Sequence, residues 1–306
     1  MLTTIVAMAT GDFNGDAWAD LVIAEKDSNS AVLWLNDQTG RFSRGPVVSL
    51  AGTPLTLAAA DLTGDTHLDL IATLATAGST LVLCKGDGGG GFDAPITLPI
   101  GGTLSYLRVG DLNDDDQPDL VVSSSSGTTV AVLLNEGNLA FATTHHAAGS
   151  SPQGIALGDF DHDGVPDLAV AGSSAGTAVV SVLIGAGDGS FAPRVEYSVS
   201  GTTFLSTLEA GDCDGDLHDD LVVSHAIHGA IAILWNDGSG AFVQQEDYPL
   251  RSQTDAGARL VLADFDGDGR LDIAATDVKG YFGRSWISFW LNRGNRVFDT
   301  SIRYWV

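Results

Sequence analysis

"DFDGDGRLDI", residues 264–273, places four aspartates, Asp264, Asp266, Asp268 and Asp272, within ten residues. Read alone it fits the start of an EF-hand calcium loop, a solvated acidic turn or a cluster of catalytic carboxylates. Its siblings decide. "DFNGDAWADL" begins at Asp12, "DLTGDTHLDL" at Asp61, "DLNDDDQPDL" at Asp111, "DFDHDGVPDL" at Asp159 and "DCDGDLHDDL" at Asp212. The steps are 49, 50, 48, 53 and 52 residues, and Phe42, Phe92, Phe141, Phe191, Phe242 and Phe298 keep the same beat. Such self-similarity marks a repeat architecture, in which each unit buries its faces only against its neighbours. The six copies fill residues 1–306, so a single domain is expected.

Each repeat reads as four strands. In the fifth, "TFLSTLEA" leads into the Asp loop, "DLVVSHA" leaves it, "AIAILW" follows a short turn, and "AFVQQEDYPL" follows "NDGSG". These are short β-branched or apolar runs bounded by Gly, Asn, Asp and Ser. Runs such as "AVLWL" and "VAVLL" are apolar on both faces and predict burial on both. No helical periodicity is present. The expected fold is all-β, a six-bladed β-propeller of four-stranded antiparallel blades with Ca-binding loops between first and second strands. A linear solenoid of sheets is the alternative.

Calcium takes roughly six to eight oxygens, which a tight loop supplies from alternating side chains and one backbone carbonyl. Counting the first Asp as position one, positions one, three, five and nine hold Asp12, Asn14, Asp16 and Asp20 in the first loop. The second and third have Asp61, Thr63, Asp65 and Asp69, and Asp111, Asn113, Asp115 and Asp119. The fourth has Asp159, Asp161, Asp163 and Asp167, and the fifth Asp212, Asp214, Asp216 and Asp220. The sixth has the four aspartates quoted above. Position seven is Trp18, His67, Gln117, Val165, His218 and Arg270, a chemical mixture that suits a backbone-carbonyl ligand. The EF-hand reading fails, because no glutamate stands at position twelve and strands flank each loop. Six aligned loops also outweigh the reading that Asp, Asn and Gly are ordinary turn residues. Several Ca²⁺, up to six, are expected, with occupancy falling from the sixth loop to the second, whose Thr63 is a weak neutral ligand.

These residues resemble the FG-GAP/VCBS-like repeat, whose loop reads D-x-[DN]-x-D-G-x-x-D-[LI]. That repeat builds the propeller of integrin α chains and of many bacterial surface or secreted proteins, and similar repeats occur in calcium-containing propeller lectins. The resemblance implies Ca²⁺ between the first and second strands of each blade, at the positions named. Two departures stand out. The best-known propellers of the family have seven blades against six repeats here, and the glycine at position six is missing in four loops.

The formal net charge of −25 argues against nucleic acid and anionic membranes as partners, since both need a basic footprint. No run approaches the length of a membrane span, so no membrane insertion is expected. "MLTTIVAMATGDFNGD" lacks a basic leader and a long apolar stretch, so it is not expected to be a signal peptide. Cys84 and Cys213 read as free thiols. The histidines show no metal-ligand or triad spacing, and no catalytic residue is predicted.

The loops between second and third strands are small and polar except the sixth, "TDVKGYFGRSW", which carries Tyr281, Phe282, Arg284 and Trp286. Aromatics beside an arginine suit sugar stacking or a protein hot spot. The same hairpin could instead cap the last blade. The reading is a non-enzymatic, calcium-stabilised binding or adhesion module for carbohydrate or a protein surface, monomeric and extracellular or at the cell surface. The alternative is a polysaccharide-active enzyme or its accessory domain.

Overall fold

Apolar β-branched runs between Asp-rich and Gly-rich turns pair with their sequence neighbours, because the connections are too short for anything but hairpins. A computed structural model describes residues 4–75, 80–226, 229–250, 258–277, 286–299 and 302–305. Among these residues six sheets form, each of four strands in chain order with antiparallel neighbours. Blade one holds β1 (Ile5–Gly11), β2 (Asp20–Glu25), β3 (Ser30–Asn36) and β4 (Phe42–Ser49). Blade two holds β5 (Thr53–Ala60), β6 (Asp69–Ala75), β7 (Thr80–Cys84) and β8 (Ile96–Pro99). Blade three holds β9 (Leu104–Gly110), β10 (Asp119–Ser124), β11 (Thr129–Asn135) and β12 (Phe141–Ala147). Blade four holds β13 (Ile155–Gly158), β14 (Asp167–Ser174), β15 (Thr177–Leu183) and β16 (Val195–Ser198). Blade five holds β17 (Leu205–Gly211), β18 (Asp220–His225), β19 (Ala230–Asn236) and β20 (Phe242–Pro249). Blade six holds β21 (Leu260–Ala263), β22 (Asp272–Asp277), β23 (Trp286–Trp290) and β24 (Ile302–Trp305). The fold is an all-β six-bladed propeller, and every Asp loop joins a first strand to a second.

The chain divides into two compact units, Met1–His146 and Ala147–Val306. Within the first, β1, β5 and β9 lie side by side; within the second, β13, β17 and β21 do. The core lies between consecutive blades. Val22, Leu33, Leu70 and Val82 join blades one and two, and Ile71, Leu83, Leu120 and Leu133 join two and three. Val180, Leu208, Val223 and Ala232 join four and five, and Val222, Ile233, Ile273 and Trp290 join five and six. Each fully buried aliphatic side chain contributes about 1.5–3 kcal/mol from leaving water. The alternation of faces explains why central strands are apolar throughout: β18 is buried at all six positions, while outer β20 is mostly exposed.

The phenylalanine marker has a packing role. Phe92 meets Phe13 of the preceding blade edge-on at 5.7 Å, and Phe242 meets Phe160 at 5.6 Å. Trp235 and Trp290 are core residues, and Trp18 is 45% exposed. Trp34 is half-buried, because it lies near the Asp-loop end of β3, where the residues through Asn36 become partly exposed.

Candidate metal centre

The six loops are built alike, and position one organises the turn. Asp12 Oδ1 accepts the amides of Gly15 (2.8 Å) and Asp16 (3.1 Å), while Oδ2 accepts that of Ala17 (2.7 Å). Asp264 holds Gly267 (2.6 Å), Asp268 (3.0 Å) and Gly269 (2.8 Å) in the same way. The Gly269 amide, with the others, keeps the Asp264 carboxyl below the usual carboxylate range. Such tight wrapping forces positive φ at position six in every loop: Ala17 (68°), Thr66 (70°), Asp116 (62°), Gly164 (86°), Leu217 (71°) and Gly269 (87°). Glycine is the residue that adopts this without strain. The four loops that lack it still make the turn.

Position nine is a buried bracket. Asp20, Asp69, Asp119, Asp167, Asp220 and Asp272 are all fully buried. One oxygen of each accepts the amide at position two, and the other accepts the amide at the turn after the third strand. For Asp220 these are Cys213 N (3.0 Å) and Asn236 N (2.8 Å); for Asp167, Phe160 N and Gly185 N, both 2.7 Å. Burial pushes the Asp167 carboxyl up to about 6 and that of Asp220 to about 7. A charged carboxylate in such a place calls for a compensating cation.

Position five turns inward on its own loop. In all six loops its Oδ1 accepts the amide of position seven, at 2.8–3.0 Å. The side chain at position seven packs on the turn between third and fourth strands; a Cβ added to Gly238 would lie 2.7 Å from the His218 ring, and one added to Gly88 2.4 Å from His67. That turn is glycine-rich because the ring needs the space.

Positions one, three and nine converge in three loops. Asp159, Asp161 and Asp167 each offer an oxygen within 4.8 Å of the others, as do Asp212, Asp214 and Asp220, and Asp264, Asp266 and Asp272. Position five joins none of these groups. In the first three loops Asn14, Thr63 and Asn113 replace the third carboxylate, and no acidic group of three forms there among the described residues. The donor set is all oxygen, as a hard cation such as Ca²⁺ requires. The fourth loop supplies the test of fit: Asp161 Oδ1 is buried with no hydrogen-bond partner. Burial, with Asp163 and Asp159 beside it, raises the Asp161 carboxyl above its ordinary range. An oxygen left in that state is short of a cation, and the residues fit one.

Three other loops already hold cations of the protein, which the sequence pattern did not reveal. Lys85 Nζ lies 2.9 Å from Asp65. Arg296 reaches the fifth loop, 2.7 Å from Asp214, and Arg293 the sixth, 3.1 Å from Asp266. Arg270 also pairs with Asp268 of its own loop. No described ion pair reaches Asp159, Asp161, Asp163 or Asp167.

A second feature that the repeat spacing did not reveal fastens four of the loops to the following blade. Asn236, at the end of β19, donates Nδ2 to the carbonyl of Phe160, position two of the fourth loop (2.8 Å). Asn135 does the same to Leu62 (3.1 Å) and Asn292 to Cys213 (2.7 Å). Blade two has Gly86 at this place, and the Gly90 amide takes over, donating to Phe13 O at 3.0 Å. The signal was present as a recurring Asn before the Gly-rich turn.

Of the proposed ligand-contacting residues, Tyr281, Phe282 and Arg284 lie outside the described residues. Trp286 opens β23, half-buried, in register with Trp305 of β24. Cys84 and Cys213 are free and buried.

Among solved structures, a lectin of Agrocybe aegerita that recognises non-reducing terminal N-acetylglucosamine is similar over 98% of this chain and 80% of its own, with a TM-score of 0.66 and 17% identity. The PQQ-bound aldose sugar dehydrogenase of Streptomyces coelicolor is similar over 100% of this chain and 94% of its own, with a TM-score of 0.53 and 12% identity. Likeness at such identities concerns the fold alone. A search of curated protein sequences gave no significant match. The profile of the FG-GAP-like repeat matches residues 12–72, 111–170, 163–223 and 212–275. All six Asp loops fall inside these segments, and the chain belongs to the FG-GAP-like repeat family.

Proposed function

We propose that this chain is a non-enzymatic binding module, stabilised by Ca²⁺ and directed at carbohydrate. The observation that carries the metal half is the fourth loop, where three carboxylates meet and Asp161 Oδ1 has no partner. Asp159, Asp161 and Asp167 would hold the ion there, with Asp212, Asp214 and Asp220, and Asp264, Asp266 and Asp272, as the equivalent sets. The ion would neutralise carboxylates that burial otherwise leaves uncomfortable, and so add its binding free energy to folding. Its role here is structural.

The carbohydrate half is supported by the likeness to a sugar-recognising lectin of the same fold. The aspartates of the loops are committed to holding the amides of their own turns, which favours binding over turnover. The module would act as a monomer outside the cell or on its surface, where calcium is plentiful enough for sites of about 10⁻⁴–10⁻³ M. Among the described residues no helix is long and apolar enough to cross a membrane. A glycan array probed with and without calcium tests the reading. Discrete sugar hits support it; silence points to a protein partner, and turnover of a polysaccharide overturns the non-enzymatic assignment.

A further inference from the structure

At the end of blades four and five away from the Asp loops, a cleft of about 300 Å³ opens between the blades. Its wall on blade four is Ser151, Gln153 and Ser173, and on blade five Phe204 and Ser206. The floor is rigid. Ser150 and Ser173 exchange backbone hydrogen bonds of 2.7 and 2.9 Å, and the Gln153 amide donates to Ala171 O at 2.8 Å. The blades press together beneath: a Cβ added to Gly154 would lie 2.7 Å from both Leu208 N and Ser206 O. Phe204 is pinned by its backbone, its carbonyl accepting from Ala226 N at 2.9 Å, yet its side chain is 54% exposed.

The lining chemistry selects the ligand. In a chain of net charge −25, no ionisable side chain among the described residues lines this cleft, which suits a neutral molecule rather than a cation. An exposed aromatic face beside hydroxyls and a carboxamide matches a pyranose, which offers a C–H face to the ring and hydroxyls to Ser and Gln. The volume stands at the small end of ligand sites and suits one sugar ring. Two other clefts lack the combination: one, around Ser124, Ser126 and His145, has no aromatic, and the other contains the Arg194–Glu196 ion pair.

We propose that the cleft between blades four and five is a subsite for a single neutral sugar ring, stacked on Phe204 and hydrogen-bonded by Ser151, Gln153 and Ser206. This rests on the carbohydrate reading above. The test is saturation-transfer NMR on the full chain in calcium with N-acetylglucosamine, glucose, galactose, mannose and fucose, backed by the glycan array. Phe204→Ala and the cleft-filling Ala226→Leu are compared with wild type, and Ser126→Leu, in the other cleft, is the control. The expected result is binding of at least one sugar, weakened about tenfold or more by Phe204→Ala and Ala226→Leu and unchanged in the control. Sugar binding that both cleft variants retain in full overturns this subsite and leaves the carbohydrate reading standing. A wild-type chain that binds no sugar in either format overturns both.

Discussion

At the scale of single residues, the loops carry strain where sequence and turn disagree. Thr66 is β-branched at φ 70°, and Leu217 sits at φ 71° with 76% of its surface exposed. Replacing either with glycine removes the left-handed penalty, less the extra freedom glycine gains in the unfolded chain. Thr66→Gly and Leu217→Gly should therefore each stabilise the protein by about 0.5–1 kcal/mol in urea unfolding. An unchanged midpoint would show that the backbone relaxes around the side chain. The thiols make a second residue-level prediction. Burial pushes Cys84 up to about 11, and burial with nearby aspartates pushes Cys213 up as well. Neither should react with a thiol reagent at neutral pH until the chain unfolds, as a colorimetric thiol assay would read. Labelling of the native protein would sink the buried assignment.

At the scale of elements, position nine ties one strand end to the next. Asp220→Ala would leave the Cys213 and Asn236 amides buried without acceptors, at a cost of about 3 kcal/mol for the two. Measuring the variant in EDTA separates this loss from any loss of metal. If Asp220 acted only as a ligand, the variant and wild type would melt together in EDTA. The repeat spacing made the strands and the Asp loops legible, because a period near 50 residues and Asp at fixed offsets survive any change of side chain elsewhere. What spacing could not show was the partner of each carboxylate. Arg296 comes from the turn after β23, far along the chain from Asp214, and periodicity carries no information about such a contact. Likewise Thr63 and Asn113 are readable as weaker ligands, but the unpartnered Asp161 oxygen emerges only once the loop is folded. The cleft beside Phe204 was silent for the same reason: Ser, Gln and Gly in a connecting segment look like any loop.

At the scale of the whole molecule, the acidic charge is spread over loops of unequal need. The sequence ranks the sixth loop first for calcium. The structure sets Arg293 and Arg270 against that loop and Arg296 against the fifth, while the fourth has no such counter-ion among the described ion pairs. A titration followed by NMR should accordingly fill the fourth loop first, and Arg296→Gln should tighten binding at the fifth. Filling of the second loop ahead of the fourth would contradict the electrostatic ordering. Each occupied site at a hundredfold excess of metal over Kd adds about 2.7 kcal/mol, so EDTA should lower the melting temperature by about 5 °C or more. A melting curve indifferent to EDTA would falsify the structural role of calcium.

The Asn that reaches from one blade to the loop before it runs in a single direction: Asn135 to Leu62, Asn236 to Phe160, Asn292 to Cys213. The fifth repeat thus carries a hook in Asn236 and an eye in the Cys213 carbonyl. A spliced-in blade is accepted when it brings both parts, and a chimera is better cut between repeats than inside one. Where these links form, the blades are joined like chain links that fasten only one way round.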